Sequence, residues 1–216
     1  MRKSLKLTCL FFLTLFSFSS NASLLSNPGF ESGLTYWESS GGAAIRSNDD
    51  PSAYEGQNYL YGFDTPLFSV WQDVDLINKG FLPSEIDSGN FIVELGGWQS
   101  GWHSQQDSGQ IHVRFFDTTM SQIGTTALPS FYSNNTWEEQ SGLTNLLAGT
   151  RFIRYEFIGT RVGSGSNNDA YLDAAYLNVA AIPVPAAVWL FGSGLVGLIG
   201  IRGKLPPNGG SVHSAC

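Results

Sequence analysis

The stretch Gly96-Gly97-Trp98-Gln99-Ser100-Gly101-Trp102-His103-Ser104-Gln105-Gln106-Asp107 places two indoles four residues apart among amides, hydroxyls and an imidazole. An indole face packs against the C–H face of a pyranose, and neighbouring amides read the ring's hydroxyls. Trp98, Trp102, His103 and Gln105 are therefore the candidate ligand-binding residues, with a saccharide as the matching chemistry. The other tryptophans of the central region, Trp37, Trp71 and Trp137, are read as core residues.

Catalytic chemistries find less material. A nucleophilic triad needs a histidine, and the central region holds only His103 and His112. His112 lies in an alternating run, Ile111 to Phe116, that turns it toward a surface. The cysteines, Cys9 and Cys216, stand at the two ends, and no His-x-x-x-His spacing offers a zinc site. Eighteen acidic residues make some close carboxylate pair inevitable, so no pair by itself marks a glycosidase. Gly192-Ser193-Gly194-Leu195-Val196-Gly197 satisfies the dinucleotide-loop pattern in letters, but no acid follows Asp173 and two prolines precede it. The expectation is a non-catalytic protein without certain cofactors.

The elements that must position these residues read as β. Runs rich in aromatic and β-branched residues recur at Tyr59–Phe63, Leu67–Leu76, Phe91–Leu95, Gln110–Phe116, Phe152–Ile158 and Tyr171–Val179, separated by Gly, Asn, Asp, Ser and Pro clusters. Ile111, Val113 and Phe115 alternate with His112, Arg114 and Phe116; Ile153, Tyr155 and Phe157 alternate with Phe152, Arg154 and Glu156. Many short strands at this spacing make an all-β sandwich or barrel over 23–180, about 160 residues, enough for one cored domain. All eighteen acids lie between Glu31 and Asp173 with only six of the eleven cations, so that region carries a formal −12 against −7 for the whole chain. Such a surface repels nucleic acid and anionic lipid and suits soluble sugars, cations or calcium.

Both ends carry addresses. Arg2, Lys3 and Lys6 precede the apolar run Leu10–Phe18, and Ser20-Asn21-Ala22 offers a small-residue cleavage site, so 1–22 reads as a signal peptide. At the other end Pro183, Val184, Pro185 and Ala186 lead into an uncharged run over 186–201, followed by Arg202 and Lys204. Sixteen residues at 1.5 Å span about 24 Å, short of a ~30 Å hydrocarbon core, which fits a transient membrane anchor. A short tail, 205–216, follows.

The segment Pro-Ala-Ala-Val-Trp-Leu-Phe-Gly-Ser-Gly-Leu within 181–204 resembles the PEP-CTERM sorting signal of Gram-negative bacteria. That resemblance implies an exosortase-type processing enzyme as partner, export through the inner membrane, and a cell-surface or extracellular-matrix destination after processing. The sequence departs from the pattern in Val184 between the prolines and in the tail beyond Lys204. The opening Asn27-Pro28-Gly29-Phe30-Glu31 and the closing Tyr171-Leu172-Asp173 resemble the galactose-binding-like jelly roll of carbohydrate-binding modules, whose first and last strands lie side by side. The resemblance implies a polysaccharide partner and a structural Ca2+ held through Glu31 and Asp173, completed by turn carbonyls. Two readings follow: a surface protein that binds carbohydrate, or a structural surface protein that mediates protein–protein assembly without a sugar site.

Overall fold

The computed structural model describes residues 23–182. The signal peptide at 1–22, the sorting residues from Pro183 through Lys204 and the tail at 205–216 lie outside the described residues. Among the described residues no helix is long and apolar enough to cross a membrane.

The alternating runs become strands because their apolar residues find partners on one side only. Among the described residues ten strands form two five-stranded sheets. The first sheet has the order β1 (Glu38–Ser40), β4 (Leu67–Asp75), β9 (Phe152–Thr160), β6 (Ser108–Phe116), β7 (Gln122–Ala127). The second has the order β2 (Ala43–Ser47), β3 (Asn58–Gly62), β10 (Asn168–Ala181), β5 (Phe91–Ser100), β8 (Glu138–Asn145). Among the described residues a single short helix, α1 (Pro83–Ile86), sits in the β4–β5 connection.

The core lies between the sheets. Val70, Phe157 and Ile111 are in register across the first sheet and fully buried; in the second, Leu60 pairs with Leu172, and both are fully buried along with Leu95. Each such side chain contributes roughly 1.5–3 kcal/mol by leaving water. Trp37 belongs to this core as expected. Trp71 and Trp137 do not: both sit half-buried on outer surfaces, because Trp71 pairs with Glu38 and Glu156 on the solvent side of its strand.

The first regular strand, β1, pairs with β4 in the sheet opposite β10. The segment that precedes it nevertheless runs beside the last strand, where Leu24 N–H donates to the Leu177 carbonyl at 2.8 Å and Ala175 N–H to that of Pro28 at 3.1 Å. β10 changes its facing midway: Ala174 adopts a φ of +44°. As a result Leu172 and Ala175, three residues apart, both enter the core.

Candidate functional site

Two outer faces carry the aromatic and charged residues. On the first sheet, register aligns Glu38, Trp71, Glu156, His112 and Ala127 in one row across β1, β4, β9, β6 and β7. The next row holds Asp73, Arg154, Arg114 and Thr125. Arg154 and Arg114 stand directly opposite each other, which like charges tolerate only when each is neutralised. Arg154 makes two bonds of 2.7 Å to the Asp73 carboxylate, and Arg114 makes bonds of 2.8 and 2.7 Å to Glu156. The Asp73 partner holds the Arg154 guanidinium above its ordinary value. Burial pulls the His112 imidazole below its ordinary value, and its ring nitrogen lies 3.0 Å from the Gln110 side-chain oxygen.

Within this lattice Trp71 is half-buried, with the Arg154 guanidinium over its ring, 5.2 Å from the centroid. Its indole N–H is buried and has no hydrogen-bond partner. A buried donor without an acceptor is rare. The face thus offers an aromatic platform, an unpaired donor, guanidinium donors and carboxylate acceptors side by side.

The outer face of the second sheet is aromatic too, but the chain covers it. Residues 48–57, linking β2 to β3, cross it as a strap. Tyr59 and Tyr171 are fully buried there, 5.1 Å apart between centroids, and Trp137 meets Tyr59 edge-on at 5.4 Å. Arg46 lies over the Tyr61 ring at 4.4 Å, donates to the Tyr171 hydroxyl at 2.6 Å and approaches Asp169 at 3.6 Å. The Tyr59 hydroxyl sits beside this guanidinium without a well-formed hydrogen bond, and burial pushes it up to about 12.

The candidate residues from the sequence are dispersed over this second face. Trp98, on the outer side of β5, is stacked under Tyr54 of the strap at 3.9 Å. Trp102 stands edge-on to His103 at 4.5 Å and 5.7 Å from the Arg46 guanidinium. The exposed His103 lies 3.3 Å from Asp50 of the strap, while Gln105 faces Gly165 of the β9–β10 loop. Trp98 and Trp102 make no ring contact with each other among the described residues.

Glu31 and Asp173 both hold the strap. Asp173 accepts the N–H groups of Tyr54, Glu55 and Ala174 at 2.9, 3.1 and 2.7 Å, and Glu31 accepts those of Gln57 and Asn58 at 2.9 and 2.8 Å. Burial pushes the Asp173 carboxyl up to about 7 against the pull of these donors. Gly56, at a φ of +63°, passes so close to the Glu31 carboxylate that a β-carbon would collide with it. Both carboxylates are thus engaged by amide donors, and no cluster of three or more metal-ligating side chains is found among the described residues.

Trp71, Arg154, Glu156 and Arg114 were not singled out from sequence as a site. The alternation of β6 and β9 already turned His112, Arg114, Arg154 and Glu156 to one side of their strands. Strand order, which no local pattern carries, was the missing step.

The class defined by this architecture is the all-β jelly-roll sandwich, a fold shared with carbohydrate-binding modules. The chain is similar to the module TmCBM61, solved in complex with β-1,4-galactotriose, with a TM-score of 0.50 and 18% identity over 73% of this chain and 99% of that one. It is similar also to the CBM22-1 xylan-binding domain of Xyn10C from Paenibacillus barcinonensis, with a TM-score of 0.50 and 16% identity over 77% and 100%. A cyclase from Fischerella sp. TAU shares the sandwich at a TM-score of 0.54 and 10% identity over 74% and 97%, so enzymes use this fold as well. No family model and no curated protein matches the sequence. At these identities the likeness is one of fold, and function rests on the site.

Proposed function

We propose that the chain is an exported, non-catalytic carbohydrate-binding protein whose open face on the first sheet takes a neutral polysaccharide. The observation that carries this reading is Trp71: an indole on an outer sheet face, its N–H without an acceptor, beside Arg154, Asp73 and Glu156. A pyranose ring packs on the indole, and the neighbouring ion pairs donate to and accept from its hydroxyls. With both arginines already neutralised, the face selects uncharged sugars over polyanions. The carbohydrate-binding modules that share the fold support the same class of ligand.

Affinity electrophoresis of the purified full chain through xylan, galactan and cellulose-derived gels tests the reading. Retardation by at least one polymer is expected, lost about tenfold or more in Trp71→Ala with an unchanged circular dichroism spectrum. No retardation by any polymer, or retardation indifferent to Trp71, refutes it. Trp102→Ala in the same gels tests the loop platform of Trp102, His103 and Gln105, which is a separate location for the same chemistry.

Calcium at Glu31 and Asp173 is a separable part of the proposal. It requires the melting temperature to rise with added calcium and fall with a chelator. Sorting by an exosortase-type enzyme to the cell surface is the third part, and rests on Pro183 to Lys204 alone. Mass spectrometry of the mature protein, ending near Pro185 rather than at Cys216, is its test.

A further inference from the structure

Tyr54 lies on Trp98 the way a sugar would. The two rings are within 13° of parallel at 3.9 Å, the packing of a flat group seated face to face on an indole. Tyr54 is nevertheless 43% exposed, and its hydrogen bond among the described residues runs through the backbone N–H to Asp173, not through the phenol. The strap is pinned independently of that ring: the Trp137 indole donates to the Ser52 carbonyl at 2.7 Å, and Asn135 donates to Asp50. The phenol ring therefore can rotate off Trp98 while the strap stays in place, a motion open to exposed side chains within nanoseconds.

What lies beside the indole is suited to hydroxyls. Glu139 stands directly across from Trp98 on β8, and its carboxylate accepts from the Tyr176 hydroxyl at 2.8 Å. Gly96 makes room for that arrangement, since a β-carbon there would collide with the Tyr176 ring. β8 is the edge of its sheet, so this side opens to solvent.

We propose that Trp98, with Glu139 and Tyr176, is a second neutral-pyranose site, occupied by the Tyr54 ring until a sugar displaces it. It lies on the opposite sheet from the open face, and so stands or falls separately from the reading given above. If both sites are filled, one chain holds two glycan segments on opposite sides of the sandwich and links them.

The test uses the full chain with Tyr54→Ala and Trp98→Leu, each also combined with Trp71→Ala, and titrates cellohexaose, xylohexaose and β-1,4-galactotriose by calorimetry. Tyr54→Ala is expected to raise affinity for at least one probe about tenfold, the worth of a lost aromatic pair. That gain persists with Trp71→Ala and disappears with Trp98→Leu. Acrylamide quenching of tryptophan fluorescence rises in Tyr54→Ala and not when Trp98→Leu is added, which confirms the unmasking without any sugar. Should Tyr54→Ala lose its fold, probe-induced change in tryptophan emission of Trp71→Ala, absent from Trp71→Ala/Trp98→Leu, is the corresponding readout. Unmasked Trp98 that binds none of the probes, or a gain indifferent to Trp98→Leu, overturns the proposal. Binding abolished by Trp71→Ala with no gain from Tyr54→Ala leaves the open face standing and this site refuted; a silent wild type with a binding Tyr54→Ala chain does the reverse.

Discussion

The two outer faces of the sandwich use similar residues in opposite ways. On the first sheet, Trp71 is half-buried beside charges that neutralise one another across neighbouring strands, Arg154 with Asp73 and Arg114 with Glu156. On the second, the rings of Tyr59, Tyr171 and Trp137 are turned into each other, and a strap is drawn over them by two carboxylates. The first face keeps its capacity for outside partners; the second has spent most of it on holding the fold. An aromatic residue on a sheet surface is thus informative about binding only once its own neighbours are known.

Tyr171→Ala breaks the comparison most severely. Removing a fully buried ring from the covered face is expected to destabilise by about 3–5 kcal/mol in urea unfolding. If that cost stays below about 1 kcal/mol, the second face is not structural and the contrast collapses. Trp71→Ala is the mirror image, with stability changed by about 1 kcal/mol or less and glycan retardation lost about tenfold or more. Arg154→Met keeps the stem over Trp71 but removes the donors. We expect a several-fold loss of retardation with little change in melting temperature, since ion pairs of this exposure contribute about 0–1 kcal/mol. A large loss of stability instead would move Arg154 to the structural side.

The smallest effect is one of pH. His112 has a folded value below its ordinary one of about 6.5, because burial disfavours the imidazolium and Arg114 adds to that, while Glu156 opposes it. The unfolded chain therefore binds the proton more readily. The contribution is fully present above the ordinary value, is lost as pH falls through the window beneath it, and levels off below the folded value. Melting curves between neutral and mildly acidic pH check it: His112→Gln should flatten a shallow decline, and an unchanged slope removes His112 from the account.

Much of the fold was legible because alternation is a local signal. The runs that became β3, β4, β5, β6, β9 and β10 were each marked by aromatic and β-branched residues between turn-formers, and those of β6 and β9 also by alternation. Edge strands β1, β2, β7 and β8 were not, because an edge strand is half in water and can be polar on both sides, as in Glu138–Asn145. The same limit explains the site. His112, Arg114, Arg154 and Glu156 were readable as outward, yet only the pairing of β4 with β9 and β9 with β6 brings Trp71 among them. Trp98 and Trp102 drew notice because they are close in sequence, but the strand geometry that turns Trp98 under the strap leaves Trp102 in the loop beyond it. Tyr54, from a turn-rich stretch without periodicity, gave no signal that it would cover Trp98.

The left-handed residue of the last strand works like a shift of reading frame. Upstream of Ala174, odd-numbered Asp169, Tyr171 and Asp173 face outward; downstream, odd-numbered Ala175, Leu177 and Val179 face inward. One alanine thereby gives a single strand two independent phrases, the first written for the strap and its tyrosines, the second for the core. Straightening that one residue into ordinary extended backbone would keep every letter and invert the meaning of those after it, turning Tyr176 and Asn178 toward the interior and three core side chains out into water.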